Sequence, residues 1–165
     1  MQDIQSVLGR IILYGDEGDE EIQAGEILGY WITCDDPDEV VYLADQLNQD
    51  FFETVQILPD LEDEFAICQP ALYISQVFLE PQWRGHSLAL ESTALYIHFL
   101  ANHGFIFFSP APPGVRESPE RERQIKRLRR YWRKLGIHHY NPEHNVMWQA
   151  GWSYNEWLES QAQRD

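Results

Sequence analysis

Residues 72–95 read LYISQVFLEPQWRGHSLALESTAL, and this stretch decides the fold. Leu72 to Leu79 is a near-continuous apolar run, as expected of a strand covered on both faces. Pro81 ends it, because proline has no N–H to give to a ladder. A helix is expected over 85–103, with Leu88, Ser92, Leu95 and Phe99 along one face. Gly104 is its stop signal. Phe105 to Phe108 (FIFF) is then a second buried strand. Strand, helix and strand over 72–108 form a parallel pair with a right-handed crossover. The first N–H groups of such a helix have no partners inside it, carry partial positive charge and suit a phosphate. Arg84 stands just before them, and Gly85 lets the backbone come close. The residues alone leave two readings open, an anion site or a plain strand-to-helix turn with a surface arginine.

Upstream, 8–14 (LGRIILY) and 26–33 (EILGYWIT) read as strands, joined by the acidic, glycine-bearing stretch GDEGDEEIQAG as a loop or hairpin connection. Asp35, Asp36 and Pro37 signal a helix over 38–52, with Val41, Ala44, Leu47 and Phe51 at helical spacing. Residues 58–69 look irregular, with room for a short turn. Downstream, SPAPPG is a rigid extended loop. Ser118 and Pro119 open a third helix that buries Ile125, Leu128, Trp132 and Leu135 and stops at Gly136. Short strands follow at 137–140 and 146–150, with a turn at Asn141-Pro142. Ser153 and Glu156 have capping-box spacing and start a last helix over about 152–161. Trp152 and Trp157 of that tail pack on the same chain or, in a homodimer, on a second subunit. The alternation predicts an α/β (α+β) protein, a mixed central sheet flanked by helices, in a single domain over 1–165.

The net charge is −15, and its distribution is uneven. Residues 116–134 hold nine of the 12 basic residues, whereas 1–115 hold 20 of the 27 acidic ones. An acidic body repels phosphate backbones, so nucleic acid is disfavoured as a partner. The basic segment reads either as a solvated helix face or as a local anion contact. Cys34 and Cys68 follow no metal or redox spacing and read as reduced thiols of a cytoplasmic protein. No apolar run reaches the roughly 18 residues that span a bilayer, and the N-terminus lacks the pattern of a signal peptide. His138, His139 and His144 do not form a metal site, since adjacent strand residues point to opposite faces.

The segment Pro81-Gln82-Trp83-Arg84-Gly85-His86-Ser87-Leu88-Ala89 resembles the acetyl-CoA signature of the GNAT superfamily, Pro-x-x-Arg-Gly-x-Gly-x-Gly/Ala after a strand. RYWRKLGIHHY (130–140) is similar to that family's helix end, and NVMWQ (145–149) to its closing strand. The resemblance covers roughly 72–149. It implies a GNAT-like sheet and acetyl-CoA as co-substrate. The amides of His86, Ser87, Leu88 and Ala89, with Arg84 and Gly85, would hold the pyrophosphate. The main chain of Val77, Phe78 and Leu79 would face pantetheine.

Two positions depart from the pattern. Ser87 stands where the family has glycine. Trp132 stands where it has a tyrosine that protonates the leaving thiolate, and an indole N–H is a donor only. Tyr131, about 100° away around the helix, is the alternative acid. Removing a proton from the amine needs a base, and Glu80 at the strand end is the candidate. The resemblance implies an N-acyltransferase moving acetyl to a primary amine of a small molecule or peptide. The alternative is a non-catalytic module of the same fold that binds acyl-CoA or a protein partner.

Overall fold

The computed structural model describes residues 3–18, 20–111 and 117–164. Six strands form one mixed sheet in the order β1-β2-β3-β4-β6-β5. β1 (Ile4–Tyr14) and β2 (Glu21–Ile32) pair antiparallel, and β2 pairs antiparallel with β3 (Ala71–Leu79). β3 and β4 (Phe105–Phe108) are parallel. β4 and β5 (His139–Asn141) both pair antiparallel with β6 (Val146–Ala150). Helices cover both faces, so the fold is the mixed α+β arrangement expected above.

On one face, Ile11, Ile27, Leu72, Ile74, Ile106, Phe108 and Met147 pack with Leu90, Ala94 and Ile97 of α4 (Leu88–Ala101). On the other, Ala71, Tyr73, Phe105, Phe107 and Val146 pack with Val40, Ala44, Phe51, Val55 and Phe65. Those last five come from α1 (Pro37–Leu47), α2 (Gln49–Val55) and α3 (Glu62–Ile67). β4 thus alternates between two cores, which is why FIFF has no polar face. α5 (Pro119–Trp132) and α6 (Tyr154–Ala162) complete the α4 side through Tyr131 and Trp132 and through Trp157.

Several expectations need correction. The acidic loop is shorter than 15–25, because β2 starts at Glu21 and pairs through Gln23 and Gly25 with β1. The helix expected over 38–52 is two helices. Asn48 is extended (φ −162, ψ 134). It donates its N–H to Ala44 O at 3.2 Å and caps α2 by accepting from Phe51 N at 3.1 Å. Leu47 is consequently exposed, while Val40 takes the core position beside Ala44. Residues 58–69 are not irregular but form a 3-10 turn (Leu58–Leu61) followed by α3.

The second helix runs only from Leu88 to Ala101, and its buried face is not the one expected. Leu95 and Phe99 are 42% and 78% exposed, whereas Thr93, Ala94 and Ile97 are fully buried. Tyr96 helps set this rotation. Its hydroxyl donates to Val7 O of β1 at 2.7 Å. A Cβ at Gly29 would sit 2.7 Å from that hydroxyl, so glycine makes the room. On α5, Ile125 is buried but Leu128 and Trp132 are only partly so; Leu135 is buried in the 3-10 turn that follows. β5 starts at His139 rather than at 137. Half of SPAPPG (112–114) lies outside the described residues.

The caps at Ser118 and Ser153 form as expected, accepting from Arg121 N and Glu156 N. Gly136 is left-handed (φ 89), as a helix stop requires. Trp152 and Trp157 are buried in their own chain. Cys34 and Cys68 are both free thiols, and burial pushes Cys34 up to about 11. Among the described residues no helix is long and apolar enough to cross a membrane.

Candidate functional site

The site begins with a defect in β3. Ile74 pairs with Gly29 and Gln76 with Leu28, so Ser75 is an extra residue without a partner. A bulge of this kind bends its strand. β3 and β4 pair only from Ala71 to Tyr73. Beyond Tyr73, β3 stays with β2, while Phe108 stays with Met147 of β6. The two parallel strands therefore part, and the edge of β3 that faces β4 is not paired along Gln76–Leu79 among the described residues. In that stretch Val77 is half-buried, Phe78 is exposed and Leu79 is buried.

The chain leaves β3 at Glu80, whose N–H is held by Ala24 O at 2.8 Å. A 3-10 turn, Pro81–Trp83, follows. Arg84 folds back: its Nε donates to Leu79 O at 3.0 Å, and its guanidinium lies 5.8 Å from the centre of the Phe78 ring. Arg84 thus ties the loop to the strand that the resemblance assigns to pantetheine. Gly85 (φ 87) and Ser87 (φ 60) are both left-handed. A Cβ at Gly85 would meet nothing within 4 Å, so glycine serves the backbone angle there and not a close packing contact. α4 starts at Leu88 with no side-chain cap, and its ladder begins with Glu91 N to Ser87 O at 3.1 Å. The N–H groups of Gly85 to Leu90 donate to no protein group among the described residues. A turn with left-handed residues at a helix start aims such groups into a concavity suited to an anion.

Val77, Leu88, Ala89, Tyr131 and Trp132 are all partly buried and border the same core, the one on the α4 side of the sheet. Trp132 meets Phe108 edge-on at 5.7 Å, at the end of β4. Tyr131 lies beside it at 5.0 Å, half-buried, and burial raises its hydroxyl above the usual tyrosine range. It therefore keeps its proton at neutral pH, which a general acid needs, but gives it up less readily. Glu80 and His86 are exposed, and neither makes a side-chain hydrogen bond among the described residues. His139 stacks on Trp148 at 5.2 Å, while His138 gives its N–H to Gln149. Among the described residues no group of three His, Cys, Asp or Glu side chains could hold a metal.

Ser75 was not among the expected site residues. Nothing in LYISQVFL distinguishes a bulged serine from a regular one, since the bulge arises from pairing with Leu28 and Gly29 of a distant strand. A search of family models, curated proteins and solved structures finds no match to this chain.

Proposed function

We propose that the chain is an N-acyltransferase of the GNAT type, taking acetyl from acetyl-CoA to a primary amine in the cytoplasm. One observation carries the reading. A parallel strand pair opens at a bulge, and the same strand leads into a helix start whose amides are unpartnered. An extended pantetheine arm can pair with the free edge of β3 as an added strand does. The pyrophosphate then meets the amides of His86, Ser87, Leu88 and Ala89. The amine would be held against the thioester carbon, and proximity would supply much of the rate. Tyr131 is the acid this reading favours for the leaving thiolate, and Glu80 the base.

A second reading keeps acyl-CoA binding but not catalysis. It is favoured by the burial of Tyr131 and by the exposed, unpaired state of Glu80. Release of free CoA thiol with acetylation of added polyamines or lysine peptides separates the two.

Thermal unfolding with acetyl-CoA tests the shared premise. A ligand at 100 times its Kd stabilises the native state by about 2.7 kcal/mol, or roughly 5–10 °C for a domain of this size. The expected rise should vanish in Ser87→Asp, which places a carboxylate among the amides at an angle that aspartate tolerates. No rise at millimolar acetyl-CoA would overturn both readings.

A further inference from the structure

α5 ends in one 3-10 turn, Arg133–Leu135, whose carbonyls are all taken. Arg133 O accepts from Gly136 N at 3.0 Å. Lys134 O accepts from Trp157 Nε1 at 3.0 Å, and Leu135 O from Trp152 Nε1 at 2.7 Å. Cations at the end of a helix ordinarily serve its free carbonyls. Here two buried indoles do so for Lys134 and Leu135, which leaves the Arg133 guanidinium free of that role, while the Lys134 ammonium lies 5.9 Å from the centre of the Tyr131 ring.

Together with His138 of the following segment and Arg164 of the tail, Arg133 and Lys134 line an open cavity of about 180 Å³ between the 3-10 turn, β6 and α6. One carboxylate, Glu156, also lines it. Basic side chains from separate parts of the chain thus meet in one hollow of a protein whose net charge is −15. Arg133, Lys134 and Arg164 bring three positive charges to the hollow against the one carboxylate of Glu156, an excess that a bound anion would offset. Both tryptophans lie in its wall with their indole N–H groups bonded to the turn, which fixes that wall without the cations. A cavity of this volume holds several waters and has room for a phosphate or pyrophosphate group. Guanidinium and ammonium donors suit such oxygens.

We propose that this cavity binds a small phosphate-bearing anion. It lies on the opposite rim of the sheet from the Arg84–Ala89 loop. Gly151 and Trp152, in its wall, donate their N–H groups to Gly104 O at 3.0 and 3.2 Å, just before β4 begins. The loop follows the far end of β3, which is parallel to β4 and spans nine residues, roughly 25–30 Å at the usual strand rise. The proposal stands independently of the acyl-CoA reading.

The test is a titration with sodium pyrophosphate at constant ionic strength, followed by amide ¹H–¹⁵N spectra. Saturating shifts are expected at 133–138 and 151–160. Arg133→Gln with Arg164→Gln should weaken them at least roughly tenfold, with an unchanged far-UV spectrum. Arg164→Gln alone, at an exposed position on the tail, should give the same effect in smaller measure. Shifts confined to Gly85–Leu90 would overturn the proposal, though not the acyl-CoA reading. Cavity shifts that sodium chloride reproduces, or that survive in both variants, would also overturn it.

Discussion

Ser87 shows how one residue links backbone strain to a ligand. Its φ of 60 and ψ of 5 place it in the left-handed region, and its hydroxyl caps nothing. The resemblance puts glycine at this position, and the angle explains why. A left-handed L-residue costs about 1–2 kcal/mol, of which glycine's greater freedom in the unfolded chain returns about 0.4–1. Ser87→Gly is therefore expected to raise unfolding free energy by about 0.5 kcal/mol, read from urea midpoints. It should leave the acetyl-CoA shift at least as large. A loss of that shift would mean that the serine hydroxyl itself contacts the ligand. The motif made this loop legible in the sequence. The contact of Arg84 with Leu79 O was not legible, because a side chain turning back depends on where the loop leads it.

At the scale of elements, α4 is the instructive case. Both of its stripes are apolar, so spacing alone does not choose between Leu88-Ser92-Leu95-Phe99 and Leu90-Ala94-Ile97-Ala101. The sheet chooses, through Tyr96 bonded to β1 and Trp31 Nε1 bonded to Leu100 O at 2.8 Å. Ile97→Ala should cost about 2–5 kcal/mol, as large-to-small changes in a packed core do. Phe99→Gln should stay within about 0.5 kcal/mol. Urea midpoints of the two variants check the assignment, and a reversed ranking would place the helix the other way round. Asn48 makes a similar point. Helical spacing runs through it, but its side chain caps better than it extends, so one expected helix becomes two.

For the whole molecule, buried neutral acids set the alkaline limit. Burial pushes Cys34 from 9.0 to about 11 and Tyr96 from 10.0 to about 12, and it raises Tyr73 and Tyr131 as well. Each group is uncharged while protonated, and the folded state holds the proton to higher pH than the unfolded state. Their contribution is thus complete below about pH 9 and is lost as pH climbs through the folded values. Urea midpoints should be flat in this respect up to about pH 9 and fall between 9 and 12. Cys34→Ala should flatten the early part of the fall and Tyr96→Phe the later part. An unchanged slope in both variants would refute the attribution.

The sequence by itself determined what short-range chemistry controls. The strand–helix–strand unit over 72–108, the caps at Ser118 and Ser153 and the stop at Gly136 all follow from residues a few positions apart. The Arg84–Ala89 loop was found in the same way. Only the tertiary structure decided which stripe of α4 is buried, where β3 bulges and parts from β4, and that Arg133 and Arg164 line one cavity with two buried tryptophans. Each of these depends on a partner far away in the chain. Local spacing is the same for either outcome, and the free energy of packing selects one.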